Sequence, residues 1–186
     1  MAPSSKSPAP SAPSRNPRVV VIGAGMSGIL SAIKLQQAGF DQFVVYEKAD
    51  RLGGTWRENT YAGIACDVPS HFYSYSFALN PEWTQRFSPG QEIQSYFEEI
   101  AQRFGVDARI EYGKQVKSCV FREGRWRIEI DDGSQDEADF IIAATGVLHH
   151  PSIPDFPGRD SFEGPAFHSA RWDPNVSLAD KRVGII

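Results

Sequence analysis

The feature that most restricts how this chain can fold is a glycine cluster, Gly23-Ala24-Gly25-Met26-Ser27-Gly28, lying between an apolar run and an amphipathic stretch. The run Arg18–Ile22 has strand length and reads as a strand buried on both faces of a parallel sheet. From Ser27 to Ala38 the apolar residues Ile29, Leu30, Ile33 and Leu35 recur at helical spacing, and Gly39 stands where a left-handed residue ends a helix. Phe43–Tyr46 is a second short strand, and it ends in Glu47. Each glycine of a G-x-G-x-x-G cluster in this β-α-β setting has a physical task. The first makes a tight turn, the second lets backbone approach a pyrophosphate, and the third lets helix pack closely on strand. The helix N-terminus then offers free N–H groups and a favourable dipole to the phosphates. A carboxylate about twenty residues beyond the last glycine binds ribose hydroxyls, and this is the position of Glu47. The same carboxylate would repel a 2′-phosphate, so the site is expected to hold FAD or NAD rather than NADP.

The remainder of the chain divides by composition. Residues 1–17 are almost entirely Ala, Pro and Ser with a few charges, and are expected to form a disordered tail. A transit peptide there is conceivable, although amphipathic Arg-rich periodicity is missing; the cytoplasm is the expected compartment. Asp50–Asn80 is rich in Gly, Ser and aromatics without a clean period, too long for a plain connection and so expected to be functional. A helix is predicted over Gln91–Phe104, with Ile93, Phe97, Ile100 and Phe104 on one face and Gly105 as its terminator. Strands are predicted at Arg109–Tyr112, Gln115–Arg122 and Arg125–Asp131, the last two joined by a hairpin turn at Glu123-Gly124. Ala138–Ala144 reads as a further buried strand running into Thr145-Gly146, and 149–180 as Pro/Gly-rich connection. Lys181–Ile186 reads as the opening of another buried strand.

Several function classes are disfavoured at this level. A net charge of −4 with interspersed signs gives no basic footprint for nucleic acid. Cys66 and Cys119, the two cysteines, lie far apart and support neither a disulfide framework nor a zinc site. Apolar runs reach strand length and fall short of a membrane helix.

The choice among dinucleotide-binding proteins comes from two separated motifs. Arg51-Leu52-Gly53-Gly54-Thr55-Trp56 resembles the second FAD contact of flavoproteins with two dinucleotide-binding domains. The redox cysteine pair that follows this turn in the related disulfide reductases is missing, which disfavours thiol–disulfide chemistry. Instead Trp56 is followed by Tyr61-Ala62-Gly63-Ile64-Ala65-Cys66-Asp67, similar to a Baeyer–Villiger monooxygenase signature, with Ala62 in place of the usual proline. Phe162-Glu163-Gly164-Pro165-Ala166-Phe167-His168-Ser169-Ala170-Arg171-Trp172-Asp173 matches the family fingerprint F-x-G-x-x-x-H-x-x-x-W-[P/D] at every specified position. Relatives that oxygenate nitrogen or sulfur usually carry Tyr or Phe where Trp172 stands. The chain therefore resembles the N-terminal part of a class B, Baeyer–Villiger-type flavoprotein monooxygenase, and the resemblance covers 18–186.

That resemblance implies an α/β fold: a Rossmann-like FAD-binding domain with a parallel sheet in three layers and a β-meander insertion. It implies that 18–150 form an incomplete FAD-binding domain, that 151–180 form an inter-domain linker carrying the fingerprint, and that 181–186 begin an NADPH-binding domain. FAD contacts are implied at Gly23, Ala24, Gly25, Met26, Ser27, Gly28, Glu47, Lys48, Gly54, Thr55, Trp56, Asp67, Tyr73, Val116, Ala144, Thr145 and Gly146. Asp67 is the implied catalytic residue, a carboxylate near the flavin that pairs with an arginine from later sequence. His168 and Trp172 are implied to position NADPH or to serve a hinge, whereas His71, His149 and His150 read as ordinary loop residues. The implied reaction uses NADPH and O₂ and inserts one oxygen atom beside a ketone carbonyl to give an ester or lactone, with no metal. Because the NADPH fingerprint and C-terminal residues of the family are missing, the 186-residue chain is expected to be a fragment inactive alone. Two alternatives stay open: a fragment of an N- or S-oxygenating relative, and a short non-catalytic chain that binds FAD or a partner.

Overall fold

The computed structural model describes residues 16–186, so the expected tail lies almost wholly outside the described residues. Val19–Ile22 form β1, whose first three residues are buried, and Met26–Gln37 form α1. Phe43–Glu47 form β2, buried at all five positions because it lies in the middle of the sheet. After a four-residue helix α2 (Thr55–Glu58), α3 spans Gly90–Arg103 and a short 3-10 turn leads into β3 (Ile110–Tyr112). Gly39 and Gly105 both take the left-handed conformation expected of helix terminators.

β4 (Val116–Arg122), β5 (Arg125–Ile130) and β6 (Gln135–Ala138) form a separate antiparallel sheet, and β7 (Phe140–Ala143) returns to the first one. The first sheet has the order β3-β2-β1-β7 with all neighbours parallel. Its two faces are covered differently. On one side Val19, Val21, Val45 and Ile33 pack with Ile93, Phe97 and Ile100 of α3. On the other, Val20, Val44 and Tyr46 meet Ile128, Ile130 and Ala138 of the meander. Helices, parallel sheet and meander thus make the three layers that the resemblance implies.

The meander owes its register to its turn and to alternation. Glu123 and Gly124 both have positive φ, which matches the twist that a two-residue hairpin loop needs. Cys119 then pairs with Ile128 and Phe121 with Trp126, so the apolar set of β5 faces the parallel sheet. A polar staple ties the same two layers: Arg18 binds Asp136 through Nε at 3.0 Å, and the Tyr46 hydroxyl donates to Asp136 Oδ2 at 2.9 Å. Burial, with the Asp136 carboxylate beside it, pushes the Tyr46 phenol well above its ordinary range.

Three expectations need correction. The predicted strand Ala138–Ala144 is two elements, because Ala138 closes β6 and only 140–143 pair with β1. The polar segment Gln135–Ala138 had no apolar alternation to mark it as a strand; its pairing with β5 makes it one. β7 is also not buried on both faces: it is an edge strand among the described residues, and Phe140 is 59% exposed. Lys181–Ile186 carry no strand, since no ladder partner stands beside them among the described residues.

Candidate cofactor site

The chain runs outward from β1 through β2 to β3 and then crosses back to β7 on the other side of β1. The sheet therefore has a switch point between β1 and β7, and ligands of open α/β sheets bind beyond the C-terminal strand ends at such a point. The glycine cluster leaves β1 there and Ala144-Thr145-Gly146 leave β7 there, with the Ala144 N–H donating to the Ile22 carbonyl at 2.9 Å.

The three glycines serve distinct contacts. A Cβ at Gly23, where φ is +100°, would lie 2.6 Å from the Ala144 carbonyl oxygen. A Cβ at Gly28 would lie 1.8 Å from the Gly23 oxygen, so only glycine lets α1 sit this close to the end of β1. At Gly25 a Cβ would make only ordinary contact, 3.5 Å from Gly54 Cα. The fold itself therefore does not demand a glycine at position 25. Gly25 is the N-cap of α1, no side chain caps that end, and no acidic residue occupies the first turn. The amides at this end are left for an anion.

Glu47 ends β2 beneath this loop with 4% of its surface exposed. Its Oε2 accepts from the Ala24 N–H at 2.7 Å, while Oε1 accepts from the Ala49 N–H at 3.0 Å and from Arg57 Nη1 at 2.9 Å. A carboxylate has about four acceptor directions, so three are used inside the protein and one on Oε2 remains. Arg57 is itself held by the Arg51 carbonyl at 2.7 Å and Glu58 Oε1 at 3.0 Å.

Around this pair lies a charged cluster. Lys48 Nζ is 2.6 Å from His149 Nε2, and His149 Nδ1 is 3.3 Å from Glu58 Oε2. Burial alone would raise the Glu58 carboxyl, but His149, Lys48 and Arg57 outweigh it and hold it below its ordinary value. Lys48, implied as a cofactor contact, is engaged with His149 and Glu58 here. His149 is thus more than a loop residue: it ties the segment after β7 to β2 and α2. Sequence spacing missed Arg57, Glu58 and His149 because each owes its position to contacts with other segments.

The Gly53-Gly54 turn docks directly on the first loop, with the Gly53 N–H donating to the Ala24 carbonyl at 3.0 Å. Thr55 and Trp56 follow in α2, and Trp56 Nε1 donates to the Tyr73 hydroxyl at 3.0 Å with the rings edge-to-face. Burial raises the Tyr73 phenol above its ordinary value. Asp67 lies next to buried Cys66, is exposed, and its carboxylate has no hydrogen bond among the described residues. Val116 opens β4 two residues after Lys114, whose N–H donates to the Glu47 carbonyl at 2.9 Å, and packs against the layer between meander and parallel sheet.

The two fingerprints meet in space. A cleft of about 420 Å³ is lined by Thr55, Trp56, Asn59 and Tyr61 from the first and by His168, Ser169 and Ala170 from the second. His168 Nδ1 accepts from the Ala170 N–H at 3.0 Å, and Trp172 stands edge-on to Phe167 outside the lining. More than a hundred residues separate Trp56 from His168, so their shared cleft could not be read from local pattern.

Known proteins resemble this chain in sequence and in fold. Residues 20–186 match the family profile described as pyridine nucleotide-disulphide oxidoreductase. An uncharacterized monooxygenase of Mycobacterium tuberculosis is 55% identical over 92% of this chain and 35% of its own length. A Baeyer-Villiger monooxygenase of Streptomyces coelicolor is 47% identical over 91% of this chain and 33% of its own. Among solved structures, cyclohexanone monooxygenase from Rhodococcus sp. Phi1 bound to NADP+ superposes with a TM-score of 0.79 at 34% identity, covering 87% of this chain and 32% of that one. The chain spans about a third of the length of the curated relatives it matches.

Proposed function

Because this chain belongs to the pyridine nucleotide-disulphide oxidoreductase family, we propose that it is the FAD-binding part of a Baeyer–Villiger-type monooxygenase that uses NADPH and O₂ to convert a ketone into an ester or lactone. The observation that carries the cofactor assignment is the joint unit of two glycine turns and one carboxylate at the sheet's switch point. Gly25 and Gly54 face each other without side chains, the α1 amides are uncapped, and Glu47 keeps one acceptor direction. These residues fit a dinucleotide: the pyrophosphate at the α1 N-terminus, the ribose at Glu47.

In this reading 18–150 form the FAD-binding unit, 151–180 the linker and 181–186 the approach to an NADPH-binding domain. The FAD contacts are Gly23, Ala24, Gly25, Met26, Ser27, Gly28, Glu47, Lys48, Gly54, Thr55, Trp56, Asp67, Tyr73, Val116, Ala144, Thr145 and Gly146. The flavin, when bound, supplies the redox and oxygen chemistry, and the protein supplies orientation and electrostatics. Trp56 and Tyr73, bonded to one another, form a rigid wall beside the cofactor. The exposed Asp67 carboxylate is open to a cation contributed by the rest of the protein, and a paired carboxylate there fixes that cation where negative charge develops on oxygen. His168 and Trp172 act as linker residues that position NADPH over the cleft. The ketone assignment rests on Trp172-Asp173 together with the Trp56 to Asp67 signature.

Three measurements test the reading. Titration of this chain with FAD, followed by flavin fluorescence, is expected to saturate. Gly25→Ala is expected to keep the thermal midpoint and to weaken FAD binding at least about tenfold, since the new methyl meets no protein atom closely and fills the pyrophosphate approach. Expression of the complete protein is expected to give ketone-dependent NADPH oxidation; turnover of amines or sulfides without ketones would move it to the N- and S-oxygenating relatives.

A further inference from the structure

Gln94 lies on α3, outside every segment from which spacing selects cofactor residues. Its side chain is buried, and its amide nitrogen donates to the Leu52 carbonyl at 2.8 Å and to Glu98 Oε1 at 2.7 Å. Both amide hydrogens are thereby committed, so the amide has one orientation. Its oxygen, Oε1, is turned toward Gly53 and has no hydrogen-bond partner. A Cβ at Gly53 would lie 1.8 Å from Oε1 and 2.5 Å from Cδ, so the amide fills the space where any other residue would carry its side chain.

The Gly53-Gly54 turn is therefore gripped from two sides. Gln94 presses on Gly53 from α3, and the glycine loop presses from β1: the Ala24 carbonyl accepts the Gly53 N–H, and a Cβ at Gly54 would lie 3.1 Å from Gly25 Cα. A buried acceptor without a donor costs stability. An apolar side chain of the same length would fill the site without that cost. Retention of an amide there needs a reason other than packing, and its bond to the Leu52 carbonyl supplies one.

We infer that Gln94 is a positioning residue. It fixes the Leu52–Gly53 peptide so that Gly54 lies against Gly25 and the two pyrophosphate-facing loops keep one spacing. The consequence for affinity rests on the FAD reading above; the hold on the turn does not. The test compares the unaltered chain with Gln94→Met, using amide hydrogen exchange without nucleotide, thermal unfolding and FAD titration. Exchange at Gly53 and Trp56, whose N–H groups donate to the Ala24 and Gly53 carbonyls, is expected to rise about tenfold in Gln94→Met while the amides of β1 and β2 keep their rates. The thermal midpoint is expected to move by less than about 3 °C, and FAD affinity to fall about tenfold. A structural role alone would move stability and affinity together.

Unchanged exchange at the turn, or a rise shared equally by β1 and β2, overturns the inference. If Gln94→Met does not fold, Gln94→Leu carries the same comparison, because it is a neutral side chain of similar volume that lacks the donor to Leu52. An unaltered chain that fails to bind FAD, with exchange at the turn still rising in the variant, removes the cofactor reading and supports the hold of Gln94 on the turn.

Discussion

Glu47 and Arg57 show how much of a binding residue can be committed to the protein before any ligand arrives. Both side chains are buried, 5% and 8% exposed, and each is the other's charge partner. In Glu47→Gln, Arg57 keeps Glu58 but loses its buried ionic contact at 2.9 Å, and the Ala24 and Ala49 N–H groups lose a charged acceptor, so the variant is expected to destabilise the fold by about 1–3 kcal/mol, as measured by urea unfolding. Gly28→Ala acts through sterics alone. Its methyl has nowhere to go, 1.8 Å from the Gly23 oxygen, and a loss of about 1–3 kcal/mol is expected in the same experiment. The contrast with Gly25→Ala separates glycines that the fold needs from one that only a ligand needs.

At the scale of elements, the segment after β7 is tied to α2 and β2 by His149, Glu58 and Lys48. Glu58 has its folded pKa depressed, so the carboxylate form is the stabilising one. Its contribution is present above the ordinary glutamate range of about 4.3 and is lost as pH falls through the lower folded value. Glu58→Gln is therefore expected to cost about 1 kcal/mol or less near neutral pH and to flatten the acid limb of the stability curve. A variant as acid-sensitive as the unaltered chain would contradict this assignment. The layer joining meander to parallel sheet makes a second case. Asp136 takes donors from both Arg18 and Tyr46, and Asp136→Ala is expected to destabilise by about 2 kcal/mol because two partly buried donors lose their acceptor.

For the molecule as a whole, the proposed cofactor is also a source of stability. A ligand that binds only the folded state adds about 2.7 kcal/mol at a hundredfold excess over its dissociation constant. For a chain of this size that corresponds to a rise of roughly 5–10 °C in thermal midpoint on adding FAD. Gly25→Ala is expected to show no such rise. Among the described residues no helix is long and apolar enough to cross a membrane.

The glycine cluster, the carboxylate at the end of β2 and the two monooxygenase fingerprints were legible in the sequence because each is a local pattern set by backbone geometry or fixed spacing. From them followed the β-α-β unit, the three-layer architecture and the candidate cofactor loops. β6 was not legible, because its polar residues become a strand only by pairing with β5. Nor was the exposed edge of β7, whose apolar run looks the same whether one or both of its sides are covered. The glycine turns were written in the chain; what tertiary structure alone decided was what holds them. Arg57 reaches Glu47 across a turn, and Gln94 reaches Leu52 and Gly53 from a helix some forty residues on. Such contacts depend on where the backbone returns in space, and no spacing along the sequence encodes that.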